Sequence, residues 1–307
     1  MLINNNQSEK PLTSEQIAFF KDNGYLLLPG ALDVDLCTWA RDRLWEALPT
    51  DCSLRRHEPQ THVGPFSTAD INKDLEHRRE GFKWQLRSIR TDPKFIQFIY
   101  SPKLCAVAEQ LLGKNKVRQP VVGELPGVRG IYCTLPYGDQ AREPDEAHTD
   151  AHPFHFGAVG LIHDVPPDGG AFKVWPKSHK RLYPTFWMQY DQARVPSYEH
   201  LPSLRGITNP PEYHAELARI EKDTEPVECW GKAGDVVLWH HRLAHMASHN
   251  YSGVIRQAVL GDFARNDLDQ TRLDPPQPNM WRDWSDELKE SNGGYCHELA
   301  STQRLST

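Results

Sequence analysis

The sequence predicts a mainly β fold, an all-β sandwich or barrel with helices ahead of it. Three observations point there. Apolar residues at helical spacing are concentrated in the first 115 positions. From about residue 117 the pattern changes to short strands separated by Pro and Gly. Between Ser178-His179 and Gly234 the strand pattern lapses, over about 181–232, and then resumes. With 307 residues and no internal repeat, one domain is expected, comprising a helical region (1–115), a β core (116–264) carrying the insertion, and a tail (265–307).

Residues 1–12 read as a loose tail. Thr13-Ser14-Glu15-Gln16 can cap a helix whose apolar side is Ile17, Phe19 and Phe20, and Asn23-Gly24 ends it. Tyr25 to Gly30 reads as a short strand. A helix over about 34–48 carries Leu36, Trp39, Ala40, Leu44 and Leu48 at helical spacing. Residues 50–80 are polar and irregular and read as a loop. Asp92-Pro93 opens a helix over about 93–112, which Gly113 closes. Strands are expected at 117–122, 128–134, 146–150, 155–165, 170–175, 226–230, 235–240 and 254–264. One helix is expected in the insertion, near 211–223. The insertion's aromatics, Tyr183, Phe186, Trp187, Tyr190 and Tyr198, would form either a lid over a pocket or a small core of their own. In the tail, Trp281 and Trp284 are expected to pack back onto the domain.

Composition excludes several function classes. A net charge of −6 and a pI near 6.2 argue against nucleic acid or an anionic membrane as partner. No apolar run approaches the roughly 18 residues of a membrane span. The N-terminus lacks a basic-then-apolar signal pattern. Six scattered cysteines without Cys-x-x-Cys suit reduced, buried thiols, and a cytoplasmic protein is expected.

The chemistry concentrates in two segments. In a strand, residues two apart face the same way, so His148 and Asp150 can reach one ion with Thr149 turned away. That spacing alone is weak: 15 His and 22 Asp in 307 residues give roughly one His-x-Asp by chance. The second segment runs from Gly234-Asp235 through an apolar strand into His240, His241, His245 and His249. Any of these four suits a third ligand by composition. Two imidazoles and one carboxylate on one face are the donor set of non-heme iron(II) oxygenases. Such a centre carries a formal charge of about plus one, suits a dianionic chelator, and then needs a cation at the chelator's far end. Arg256 lies in the strand Val254 to Leu260, where an unpaired Arg is costly and its fork fits a carboxylate. A salt bridge to one of the chain's own acids is the alternative for Arg256.

Taken together, these segments resemble the phytanoyl-CoA dioxygenase family of iron(II)/2-oxoglutarate oxygenases. Leu12 to Gly30 resembles the family's first helix and strand, and His148-Thr149-Asp150 its metal motif. Val165 to Lys180, ending Pro-Lys-Ser-His-Lys, resembles its strand and Gly-Ser-His-Lys segment. Ala233 to His245 resembles its distal strand. His245-Met246-Ala247-Ser248-His249-Asn250-Tyr251-Ser252, followed by Arg256, resembles its His-Gly-Ser-Gly-x-Asn-x-Ser…Arg pattern. Met246 departs from the family's Gly. The resemblance implies a double-stranded β-helix (jelly-roll) core with helices packed outside. It selects His245 as the third ligand and implies Fe(II), 2-oxoglutarate and O2. It makes Arg256 the partner of the cosubstrate's C5 carboxylate, with Thr149 beside the cosubstrate.

The implied activity is hydroxylation of a small molecule with release of succinate and CO2. Asp150 fills the position that a halide would need, which argues against halogenation. His152, His155, Arg129 and Trp239 are candidate substrate contacts. Lys83, Arg87, Arg90 and Arg142 join Arg129 as candidates to bind an acidic substrate. The rival readings are a zinc hydrolase using the same triad and a non-catalytic jelly-roll binding protein.

Overall fold

The computed structural model describes residues 10–50, 52–74, 76–122, 125–150, 154–185, 211–271 and 274–291. Helix α1 (Ser14–Asn23) starts with a reciprocal cap: the Gln16 N–H donates to the Thr13 hydroxyl, and the Thr13 N–H donates to the Gln16 side chain. It stops at Gly24, in the left-handed region at φ 80°. Strand β1 (Tyr25–Leu28) and helix α2 (Val34–Glu46) follow. Residues expected as loop hold part of a hairpin, β2 (His77–Glu80) and β3 (Lys83–Leu86). The single helix expected over 93–112 is two, α3 (Pro93–Ile99) and α4 (Pro102–Leu112). Pro102 has no N–H to continue the first ladder, and the Ser101 hydroxyl caps the second helix instead.

The rest of the chain is mostly strand. It comprises β4 (Val121–Val122), β5 (Leu125–Pro126), β6 (Gly130–Thr134), β7 (Phe156–Leu161) and β8 (Phe172–Val174). Helices α5 (Ser178–Leu182) and α6 (Pro211–Asp223) come next. Then follow β9 (Val227–Cys229), β10 (Val236–His240), β11 (His245–Ala247) and β12 (Arg256–Phe263). Two short helices close the described chain, α7 (Leu268–Thr271) and α8 (Asp286–Glu290).

Among the described residues, seven strands form an antiparallel sheet in the order β1-β10-β7-β12-β6-β3-β2, and β11-β8-β9 form a smaller one. The architecture is a jelly roll with helices outside it. The inner faces of the two sheets meet where Phe172 of β8 packs on Trp239 of β10, ring centres 5.1 Å apart. Trp239 lies across Gly157 of β7, where a Cβ would come within 2.0 Å of the indole ring. No side chain fits there, so Gly157 is the space that the indole occupies. On the outer face, Tyr100 stacks on Phe263 and Phe20 packs on Phe156. Trp281 and Trp284 return from the tail to join Phe20. Of the proposed lid aromatics, Phe186, Trp187, Tyr190 and Tyr198 lie outside the described residues, as does His152.

Behind that outer face sits a group of buried histidines. His240 stacks on Trp284, and His179 and His155 lie close by. Burial holds all three imidazoles below their ordinary range, His155 at about 4 and His179 at about 3. The unfolded chain therefore binds more protons than the folded one once pH drops below about 6.5. Stability is present above that value and is lost as pH falls, by up to about 1.4 kcal/mol per pH unit for each such histidine. The thermal midpoint should fall steadily between about pH 7 and about pH 5, before most carboxylates titrate. A flat midpoint across that range would contradict this arrangement.

Candidate metal centre

The stretch expected as a strand at 146–150 is an irregular segment held by one bridge, in which His148 and His245 exchange backbone hydrogen bonds of 3.0 and 2.9 Å. Because β11 is paired to β8, that bridge fixes His148 against a strand of the smaller sheet. Ligand atoms of His148, Asp150 and His245 then lie within 4.8 Å of one another, the one such group among the described residues. His245 Nε2 is 3.6 Å from Asp150 Oδ2. Two cis ligands at about 2.1 Å from a first-row ion would be about 3.0 Å apart, so a small inward adjustment closes the shell.

The protonation states suit a ligand set. His245 Nδ1 is 2.8 Å from the Leu243 carbonyl. A carbonyl only accepts, so Nδ1 carries the proton and Nε2 turns its lone pair toward Asp150. Burial lowers the pKa of both imidazoles, His245 to about 4, although Asp150 pulls the other way. Both rings are neutral at pH 7, as metal ligation requires.

These residues line a cavity of about 330 Å³ that also includes Arg256, Trp239, Phe172 and Arg129. Arg256 and Thr134 are directly opposed on β12 and β6, and Lys83 opposes Thr134 from β3, so one inward row runs across three strands. Arg256 is 3% exposed, and its guanidinium donates to the Tyr132 carbonyl at 3.3 Å. No described carboxylate pairs with it, and burial pushes its pKa down to about 10. The alternative of an internal salt bridge finds no partner among the described residues. Trp239 backs His245 at 5.7 Å between ring centres.

Other candidates lie elsewhere. Thr149 is absent from the cavity lining; its N–H donates to the Tyr213 hydroxyl at 3.2 Å, and its own hydroxyl is 2.9 Å from the same atom. Thr149 thus turns toward α6 through its contacts with Tyr213. His155 lines a separate cavity with Trp284 and accepts the Arg265 N–H. Its backbone belongs to the outer side of the core, which removes it from the metal pocket. Arg142 pairs with Asp168 at the surface, Arg90 with Glu76, and Arg87 donates to Gln85. Of the alternative third ligands, His240 and His241 pack on Trp284 and Phe154, while His249 lines the cavity edge-on to Tyr137.

Sequence reasoning missed the support behind the ligands. Tyr213 and Glu221 of α6 take the Thr149 and Ala147 N–H groups. Met246, the departure from Gly, packs with Ala147, Trp175, Leu182, Tyr213 and Ile220. It also lines the cavity, next to His245. Helix α6 of the insertion is therefore a buttress under the segment that carries His148 and Asp150.

The phytanoyl-CoA dioxygenase (PhyH) family model matches residues 20–258. The chain belongs to the phytanoyl-CoA dioxygenase family. A probable phytanoyl-CoA dioxygenase of Caenorhabditis elegans is 22% identical over 274 residues, covering 84% of this chain and 77% of that protein. Two solved structures share the fold of this family member. One is the non-heme alpha-ketoglutarate-dependent carbocyclase SnoK from nogalamycin biosynthesis, with TM-score 0.51 and 18% identity over 89% of this chain and 95% of that one. The other is EctD from S. alaskensis with 2-oxoglutarate and 5-hydroxyectoine, with TM-score 0.50 and 19% identity over 85% and 79%.

Proposed function

We propose that this chain is an Fe(II)- and 2-oxoglutarate-dependent dioxygenase that hydroxylates a small molecule and releases succinate and CO2. The observation that carries this reading is Arg256, a buried guanidinium without a carboxylate partner among the described residues, facing the same cavity as the triad.

Charge supports the reading. In and beside the cavity, Glu146, Asp150 and Asp262 contribute −3 and Lys83, Arg129 and Arg256 contribute +3. A divalent ion takes the sum to +2, and a dianion such as 2-oxoglutarate returns it to zero. Burying charge is tolerable only when it is balanced in this way. His148, Asp150 and His245 would hold the iron, and Arg256 would take the cosubstrate's distal carboxylate through two parallel N–H donors. Bound iron supplies the activation of dioxygen, which side chains cannot provide. Trp239 and Phe172 form an apolar wall of the cavity behind His245.

The test is metal-selective turnover. With Fe(II) and oxygen, 2-oxoglutarate should be consumed with equimolar succinate even without the true substrate, at a slow rate. Zn(II) should support none. Equal or greater turnover of ester or amide probes with Zn(II), and none of 2-oxoglutarate with Fe(II), would replace this reading with the hydrolase.

A further inference from the structure

The metal ligand Asp150 is held by a residue that no ligand motif includes. Arg129, next to the start of β6, has Nη1 at 3.3 Å from Asp150 Oδ2 and Nη2 at 3.5 Å from Asp150 Oδ1. The same Nη1 lies 3.4 Å from Asp262 Oδ1 on β12. All three side chains are largely buried, at 10%, 6% and 14% exposed. Asp262 is itself anchored: its carbonyl accepts the Tyr100 hydroxyl, and its side chain rises from a strand paired on both sides. The ligand segment is not a strand: it joins the smaller sheet through the bridge at His148 and α6 through the Ala147 and Thr149 N–H groups, and Arg129 links it to the main sheet.

We infer that Arg129 is a positioning residue that fixes the Asp150 carboxylate for the metal by tying it to the main sheet. The inference rests on the proposed metal centre. One planar guanidinium can span two carboxylates, which an ammonium cannot do with the same geometry. It contacts both Asp150 oxygens, and Oδ2 is the one that also faces His245 Nε2. Held at both oxygens, the Asp150 carboxylate is restricted in how far it can turn about its own axis.

The test measures metal binding, not turnover. Co(II) is titrated anaerobically into wild type, Arg129→Met, Arg129→Lys and Asp150→Ala, following affinity and the visible spectrum of the bound ion. Outer-shell partners of metal ligands typically cost about 10–100-fold in affinity when removed. Arg129→Met should therefore bind Co(II) about tenfold or more weakly, with a shifted spectrum as the carboxylate turns. Arg129→Lys keeps the charge but loses the fork, so it should fall between Arg129→Met and wild type. If Arg129→Met does not fold, an Arg129→Lys loss of threefold or more with a shifted spectrum supports the inference. Wild-type affinity and spectrum in Arg129→Lys and in any folded Arg129→Met would overturn it, provided that Asp150→Ala has lost binding. Wild-type binding by Asp150→Ala would overturn both this inference and the metal centre on which it rests.

Discussion

Asp150→Ala and His245→Ala should each abolish iron-dependent consumption of 2-oxoglutarate. The loss should exceed the roughly 10–100-fold that outer-shell changes cause, because a donor is removed outright. His245 is held by its bond to the Leu243 carbonyl and by its packing on Trp239 and Phe172, so alanine there leaves a hole and no substitute donor. Asp150→Ala leaves Arg129 with Asp262 and removes the anionic ligand. Both effects are local to the cavity, so the secondary structure seen by circular dichroism should be retained. Succinate formation at the wild-type rate in either variant would remove that residue from the ligand set.

Arg256→Leu should raise the apparent KM for 2-oxoglutarate by about tenfold to a hundredfold. Hydrogen bonds to a charged group contribute about 1.5–3 kcal/mol, and about 1.4 kcal/mol is tenfold. Affinity for the metal alone should change little, since Arg256 does not touch the triad's ligand atoms in the way that Arg129 does. A second readout separates binding from structure. Replacing a buried cation that pairs with no described carboxylate by leucine is expected to raise the thermal midpoint of the ligand-free protein. An unchanged KM together with a lowered midpoint would make Arg256 a structural residue instead.

Much of this site is visible in the chain before folding, for reasons that differ by residue. His148 and Asp150 stand out through their two-residue spacing, yet the segment is not a strand; one bridge to His245 does the aligning. Arg256 is legible because a charge in an apolar strand demands a partner. Asp262 carries the same signal unnoticed: it lies six positions from Arg256, on the same face of β12 by the period of two. Tyr213 and Glu221 leave no local trace. They reach the ligand segment only through the packing of α6, which joins residues 64 and 74 positions apart. For the fold, hairpin β2–β3 is hidden by its charges, because Arg79 is buried by stacking on Phe66 and not by alternation with apolar neighbours. The break between α3 and α4 is written plainly in Ser101-Pro102.

Strand β1 gives the chain a schedule as well as a shape. Tyr25 pairs with Trp239, 214 positions later (239 − 25), so the first strand leaves the ribosome long before its partner exists. His245 emerges only a few residues after that partner. Closing the first edge of the sheet and supplying the last donor to the ion are therefore nearly simultaneous events, late in synthesis. Strand β12, which lies between β7 and β6, is made later still, so all three donors are synthesised before the sheet behind them can close.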